Sequence, residues 1–146
     1  MLSPLRFRTA LLKAARLLSQ SINTVLEPYG IHYSLWQVLY VIQHQQQCTA
    51  HEISTELGVS KPSISKRINL LLEMQLIEQI ETQDKRQKCL TLSSHGINFY
   101  QECSEKISML EMELLEEFDS NDKTTTHQVL NQIVKKLNNR LEIKDE

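Results

Sequence analysis

The stretch 48–92, CTAHEISTELGVSKPSISKRINLLLEMQLIEQIETQDKRQKCLTL, leaves few folds open to the chain. Thr49 and Glu52 stand at the spacing of a capping box, in which each side chain satisfies the other's backbone N–H. The short helix they start carries Ile53 and Leu57 on one face and stops at Gly58. Ser60 then offers a second cap, and Pro62 sits near a helix start, where a missing N–H does no harm. Two helices joined by so tight a turn form a helix-turn-helix.

In the second of these helices Ile64, Ile68, Leu71 and Leu72 recur at helical spacing and form a buried stripe. Pro62, Lys66, Asn69 and Glu73 fall on the opposite side, flanked by Ser63 and Arg67. A face that opens with small hydroxyls and lysine suits a DNA groove. Ser and Lys in a first turn reach phosphates or base edges, and free backbone N–H groups there favour an anion. An ordinary solvated face on a small helical hairpin is the alternative reading.

Residues 76–81 (LIEQIE) alternate like a strand, and 88–92 (KCLTL) supply its partner. Between them lies the polar loop TQDKRQ, with Lys85 and Arg86 at its tip. A hairpin directly after the second helix is a wing, and a basic wing tip fits a minor groove. Asp84 would be repelled by phosphate; its role is read as orienting Arg86 through a charge-assisted pair. The fold class expected is therefore mainly α with a small β-wing.

Around this module the chain is helical, in keeping with only three Gly and three Pro among 146 residues. A first helix at 4–26 carries Leu11, Ala15, Leu18 and Ile22 and ends at Glu27-Pro-Tyr-Gly30. A second at 33–44 is apolar around much of its circumference, which makes it central. After Ser93-Ser94 a long helix places Tyr100, Cys103, Ile107, Leu110, Leu114 and Phe118 in one stripe. A last helix carries Leu130, Ile133, Leu137 and Leu141. Such long apolar faces exceed what one small domain can cover, and a two-fold homodimer is the simplest partner; a monomeric bundle with a wing is the alternative. The organisation expected is one domain over 1–146, with the winged helix-turn-helix at about 33–92 and dimerisation helices at about 4–28 and 94–142.

Net charge is −2, which does not itself point to nucleic acid, but its distribution is uneven. Before Glu27 the charges are Arg6, Arg8, Lys13 and Arg16 alone, whereas 102–122 holds eight acidic residues and one lysine. Blocks of this kind give one basic and one acidic face if they are also clustered in space. No apolar run is long enough to span a membrane, and the default location is the cytoplasm. The three cysteines, Cys48, Cys89 and Cys103, have no metal-site spacing and do not form a disulfide framework. Each is read first as a small buried filler; Cys48, beside a helix start and near exposed glutamines, is the one candidate for redox sensing. The five histidines show no metal motif, and neither metal nor cofactor is expected.

Taken in order, these segments resemble the multiple-antibiotic-resistance regulator (MarR) family of transcription factors. Asp84-x-Arg86 followed by Leu92-Ser93-x-x-Gly96 is similar to the family's wing signature. Tyr29-Gly30-Ile31 with Ser34-x-Trp36-x-Val38-Leu39 resembles the approach to its second helix. Leu57-Gly58-Val59-Ser60, Ser63-Ile64-Ser65-Lys66-Arg67 and Leu71-Leu72-Glu73 resemble its reading head, and Leu76-Ile77 the start of its wing.

The resemblance implies an obligate homodimer, joined through the terminal helices, that binds pseudo-palindromic double-stranded DNA and in most cases represses transcription. It implies a DNA surface of Ser60, Lys61, Pro62, Ser63, Ser65, Lys66 and Arg67 in the major groove. Arg86 would enter the minor groove, with Asp84 orienting it and Lys88 at phosphate. It also implies a small aromatic or phenolic effector, for which Arg16, Tyr29, His32, Tyr33 and Trp36 are the candidate lining. The same five residues serve equally well as structure. Two other readings stay open: a winged-helix protein–protein adaptor, and a cysteine-based redox regulator. An enzyme finds no support, since the phosphate loop, zinc-hydrolase motif and nucleophile elbow are all missing.

Overall fold

The computed structural model describes residues 4–82 and 88–144, which fall into two compact units, Met1–Ile107 and Ser108–Glu146. The first unit is organised around helix α2 (Tyr33–Gln45), which packs against the helix before it, the two after it and one strand. The expected wrap of apolar residues is realised: Trp36, Val38, Leu39, Val41 and Ile42 are all buried. The start of α2 is fastened twice. Asn23, from helix α1 (Pro4–Leu26), accepts the Tyr33 backbone N–H at 2.7 Å, and His32 Nδ1 accepts that of Ser34 at 3.2 Å. Two of the amides that a helix start leaves orphaned are thereby satisfied. A 3-10 turn (Glu27–Tyr29) and Gly30, in the left-handed region at φ 70°, connect α1 to α2.

The stripe expected along the whole of α1 is buried only at its end. Ile22 and Leu26 lie in the core, while Leu12, Leu17 and Leu18 stay exposed, because α2 meets α1 only over its last turns. Periodicity identified the helix but could not say which part of it this chain covers.

Helices α3 (Ala50–Leu57) and α4 (Lys61–Glu73) form the helix-turn-helix, seated on α2 through Ile53, Ile64, Ile68 and Leu71. The wing differs from the expected two-stranded hairpin in having a third strand. Strands β2 (Ile77–Ile80) and β3 (Cys89–Leu92) pair antiparallel, Ile77 opposite Leu92 and Ile80 opposite Cys89. The two-residue strand β1 (Cys48–Thr49) adds to the other edge of β3 and gives the order β1-β3-β2. So short a strand has no alternation to detect, and Thr49 serves simultaneously as a strand residue and a helix cap.

Helix α5 (Ser94–Leu115) buries Gly96, Cys103 and Ile107 in the first unit. Its start is held to the base of the wing by a compact knot of bonds. Ser93 N–H donates to Leu76 O at 3.0 Å, and Ser93 Oγ donates to Gln75 O at 2.7 Å while accepting the Gly96 N–H at 2.9 Å. Gln75 takes up a left-handed φ of 59° to make that turn. In the second unit, Asp119 caps helix α6 (Ser120–Lys144) by accepting the Asp122 N–H at 2.8 Å. Leu114, Leu115, Phe118, Val129, Leu130, Val134, Leu137 and Leu141 are exposed there.

Candidate nucleic-acid interface

The reading head is built by local hydrogen bonds that its sequence encodes. Thr49 Oγ1 accepts the Glu52 N–H at 3.2 Å and Glu52 Oε1 accepts the Thr49 N–H at 3.3 Å, closing the capping box. Gly58 ends α3 at φ 63°, a conformation that costs glycine little and other residues more. Ser54 Oγ donates to Val59 O at 2.6 Å and pins the turn. Ser60 then caps α4, accepting the Ser63 N–H at 3.4 Å and donating its hydroxyl to Ser63 Oγ at 3.0 Å. Pro62 occupies the first turn, as expected of a residue without an N–H.

These bonds leave one face of α4 bare. Ser60, Lys61, Pro62, Ser63, Ser65 and Lys66 are exposed, while Ile64 is buried completely and fixes the helix on its support. The structure thus brings together six of the residues expected at DNA. Lys88 is exposed immediately before β3, at the wing. Asp84 and Arg86 lie outside the described residues. Arg67 is placed differently from its neighbours. It is half-buried, and Nη1 donates to Ser34 O at 3.2 Å and to Gln37 Oε1 at 3.5 Å, both on α2.

The five residues proposed for an effector are spread over the junction of α1 and α2. Trp36 is buried and stacks on Tyr100, with ring centroids 4.6 Å apart and planes within 9°. Tyr29 meets Phe99 edge-on at 6.1 Å. His32 is occupied as the cap of α2, Tyr33 is half-buried beside it, and Arg16 is exposed on α1. A shallow cleft of about 430 Å³ does open at this junction, lined by Asn23, Thr24, Glu27, Gly30, Ile31 and His32, so it includes one of the five. Asn23 and Phe99 were not singled out from the sequence, and Tyr100 was placed only in the apolar stripe of its helix. Asn23 lies on the far side of a turn from the amide it caps, Phe99 has no local motif to mark it, and periodicity places Tyr100 without naming its partner.

Cys48 proves to be fully buried, although the glutamines 45–47 just before it are exposed. Burial, then the negative charges of Glu52 and Cys89, push its thiol from the ordinary 9.0 up to about 11. Cys103, also fully buried, is pushed up to about 11 by burial and then by Glu102. Sensor thiols are accessible and readily ionised, so neither cysteine has that character. Raised values also set a pH dependence. The fold favours the neutral thiols, so their contribution is complete below pH 9 and is lost as pH rises from about 9 to 11. Urea midpoints should therefore drop across this window. The Cys48→Ala/Cys103→Ala double variant should show a shallower decline; an identical decline would assign the alkaline loss to other groups.

A capped helix-turn-helix followed by an antiparallel hairpin, which a short strand before the helices extends to three strands, with an exposed serine- and lysine-bearing start of α4, defines a winged helix-turn-helix protein. The sequence model of the MarR family matches residues 29–87. The HTH-type transcriptional regulator YwoH of Bacillus subtilis (strain 168) is 33% identical over 111 residues, 76% of this chain and 81% of that protein. Among solved structures, the Staphylococcus aureus MarR in complex with salicylate and kanamycin is 28% identical with a TM-score of 0.82, over 90% of this chain and 89% of that one. A mutant Escherichia coli MarR complexed with operator DNA has a TM-score of 0.76 over 86% of this chain and 91% of that one; at 19% identity it speaks to the fold alone. The chain belongs to the MarR family, a family of DNA-binding transcription factors and not of enzymes. Among the described residues, no helix is long and apolar enough to cross a membrane.

Proposed function

We propose that this chain is an effector-responsive repressor that binds a pseudo-palindromic operator as a homodimer in the cytoplasm. The observation that carries the reading is the exposed face of the cap and first two turns of α4, from Ser60 to Lys66, with its apolar side locked down by Ile64. Lys61 and Lys66 serve phosphate or base edges, Ser63 and Ser65 reach the groove floor, and Lys88 takes a phosphate beside the wing.

The dimer reading is supported by apolar faces left bare on helices outside the winged module. Leu12, Leu17 and Leu18 of α1 are exposed, and so are Val129, Leu130, Val134, Leu137 and Leu141 of α6. Isolated exposed leucines need no explanation, but stripes of them along whole helices call for a cover. We assign residues 4–28 and 94–142 to that interface and 33–92 to the DNA-binding part. Two-fold symmetry would then place two copies of α4 about one DNA turn, or a small multiple, apart.

The effector is read as a small aromatic or phenolic acid bound where α1 meets α2, near Arg16, Tyr29, His32, Tyr33 and Trp36. Support comes from the salicylate complex of the Staphylococcus aureus MarR, which shares this fold at 28% identity. The test is an anisotropy titration against DNA from upstream of the chain's own gene and against a scrambled control, with and without salicylate. Dimeric binding that prefers the first DNA and weakens with salicylate is expected. Equal, weak binding to both DNAs across genomic fragments would favour the protein–protein adaptor. In the same assay Arg86→Ala should weaken operator binding by roughly 10-fold while leaving the dimer intact, in keeping with about 1–3 kcal/mol for a good groove contact. Unchanged affinity would remove Arg86 from the minor groove.

A further inference from the structure

Arg67 projects from the flank of the recognition helix, between the buried stripe and the DNA-facing side. Its sequence neighbour Lys66 is exposed, whereas Arg67 is half-buried with its guanidinium against α2. The two acceptors, Ser34 O and Gln37 Oε1, are three residues apart and so share one face of that helix. One guanidinium nitrogen serves both, at 3.2 and 3.5 Å, and a charged donor makes such bonds stronger than neutral ones. Ser34 itself lies in the turn of α2 that His32 caps and that Asn23 secures through the adjoining Tyr33 amide. The guanidinium thus bridges the recognition helix to the most firmly fastened turn of its support.

We propose that Arg67 is a positioning residue: it sets how the recognition helix sits on α2, and it does not neutralise a phosphate. The buried contacts of Ile64, Ile68 and Leu71 hold α4 down but are non-directional. Two bonds to fixed acceptors on another helix add the direction, and the planar fork of arginine is suited to supply it. The proposal rests on the operator-binding reading above.

Two measurements test it. In the DNA-free protein, Arg67→Ala and Gln37→Ala should be non-additive, the double variant losing less stability than the two single losses combined. On DNA, Arg67→Ala should weaken operator binding roughly 10-fold through the loss of its two bonds to α2, while binding to scrambled DNA stays at wild-type strength. The slope of log affinity against log salt should also stay unchanged. A phosphate ligand would behave otherwise: both DNAs would be weakened alike, and the slope for a dimer would fall by about 2. Gln37→Ala should reproduce part of the operator loss, also at constant slope. Arg67→Lys keeps the charge and should retain the slope without recovering full operator preference. Additivity in the free protein, or a reduced slope in Arg67→Ala, overturns the assignment and leaves the operator reading intact. Wild-type protein that cannot tell operator from scrambled DNA defeats the operator reading and the positioning role with it.

Discussion

Gly96→Ala should destabilise the protein by about 3 kcal/mol or more, although alanine is the better helix former. Gly96 lies in the first turn of α5, where intrinsic propensity alone would credit alanine with about 1 kcal/mol. The surroundings reverse that sign. A Cβ on Gly96 would come within 1.8 Å of the Leu76 carbonyl oxygen and 2.8 Å of the Leu76 carbonyl carbon. Both are backbone atoms, so no side chain can swing aside to make room. Leu76 O also accepts the Ser93 N–H, so moving it breaks the bond that holds α5 to the base of the wing. The buried side chains of Leu76 and Ile77, 1% and 3% exposed, would be dragged with it. The measurable result is a urea midpoint lowered by about 1–3 M, given an m-value of about 1–3 kcal/mol/M. Ser93→Ala removes only the cap and should cost about 1 kcal/mol. If Gly96→Ala instead equals or exceeds the wild type in stability, the close approach to Leu76 is not a feature of the folded protein.

Operator affinity should fall roughly 1000-fold between about 50 and 200 mM salt. Lys61, Lys66 and Lys88 are exposed on each protomer, and a dimer would set them against about six phosphates. Each neutralised phosphate releases a counterion, and the corresponding slope of log affinity against log salt is about −5. The Lys61→Ala/Lys66→Ala variant should lose between 3 and 4 of that slope, roughly four phosphate contacts in the dimer. A partner-binding adaptor whose contacts are apolar predicts a nearly flat response. A flat response with tight binding would therefore reject the phosphate roles of these lysines, even though net charge alone, at −2, never argued for them.

Local signals were the most legible part of this protein. Thr49 and Glu52, Gly58, Ser60 and Pro62 act within one or two turns of themselves, so their roles in capping and turning could be read directly. Two of the three strands of the wing were visible for the same reason, with small differences: 76–81 contracts to Ile77–Ile80, and 88–92 to Cys89–Leu92. What was not legible depended on partners far away in the chain. Arg67 looked like one more basic residue on an exposed helix until Ser34 and Gln37, some thirty positions earlier, came up beside it. Cys48 could be read as a buried filler or a redox candidate, and its pairing with Leu90 of β3, beyond the reach of any local signal, decides for burial. Trp36 could be placed in the core by pattern, but its stacking partner Tyr100 could not.

Sequence by itself determined where the helix-turn-helix starts and stops, that the middle of the chain carries a wing, and which face of α4 lies opposite its apolar stripe. Those properties follow from hydrogen bonds and periodicities that span a few residues, and any chain with these letters in this order would share them. The tertiary structure alone decided the third strand, the direction taken by Arg67 and the need for glycine at position 96. Each of these depends on a contact between segments distant in sequence. Such contacts exist only after the apolar faces of α2, α3 and α4 have found one another, because burial, unlike capping, has no fixed spacing along the chain.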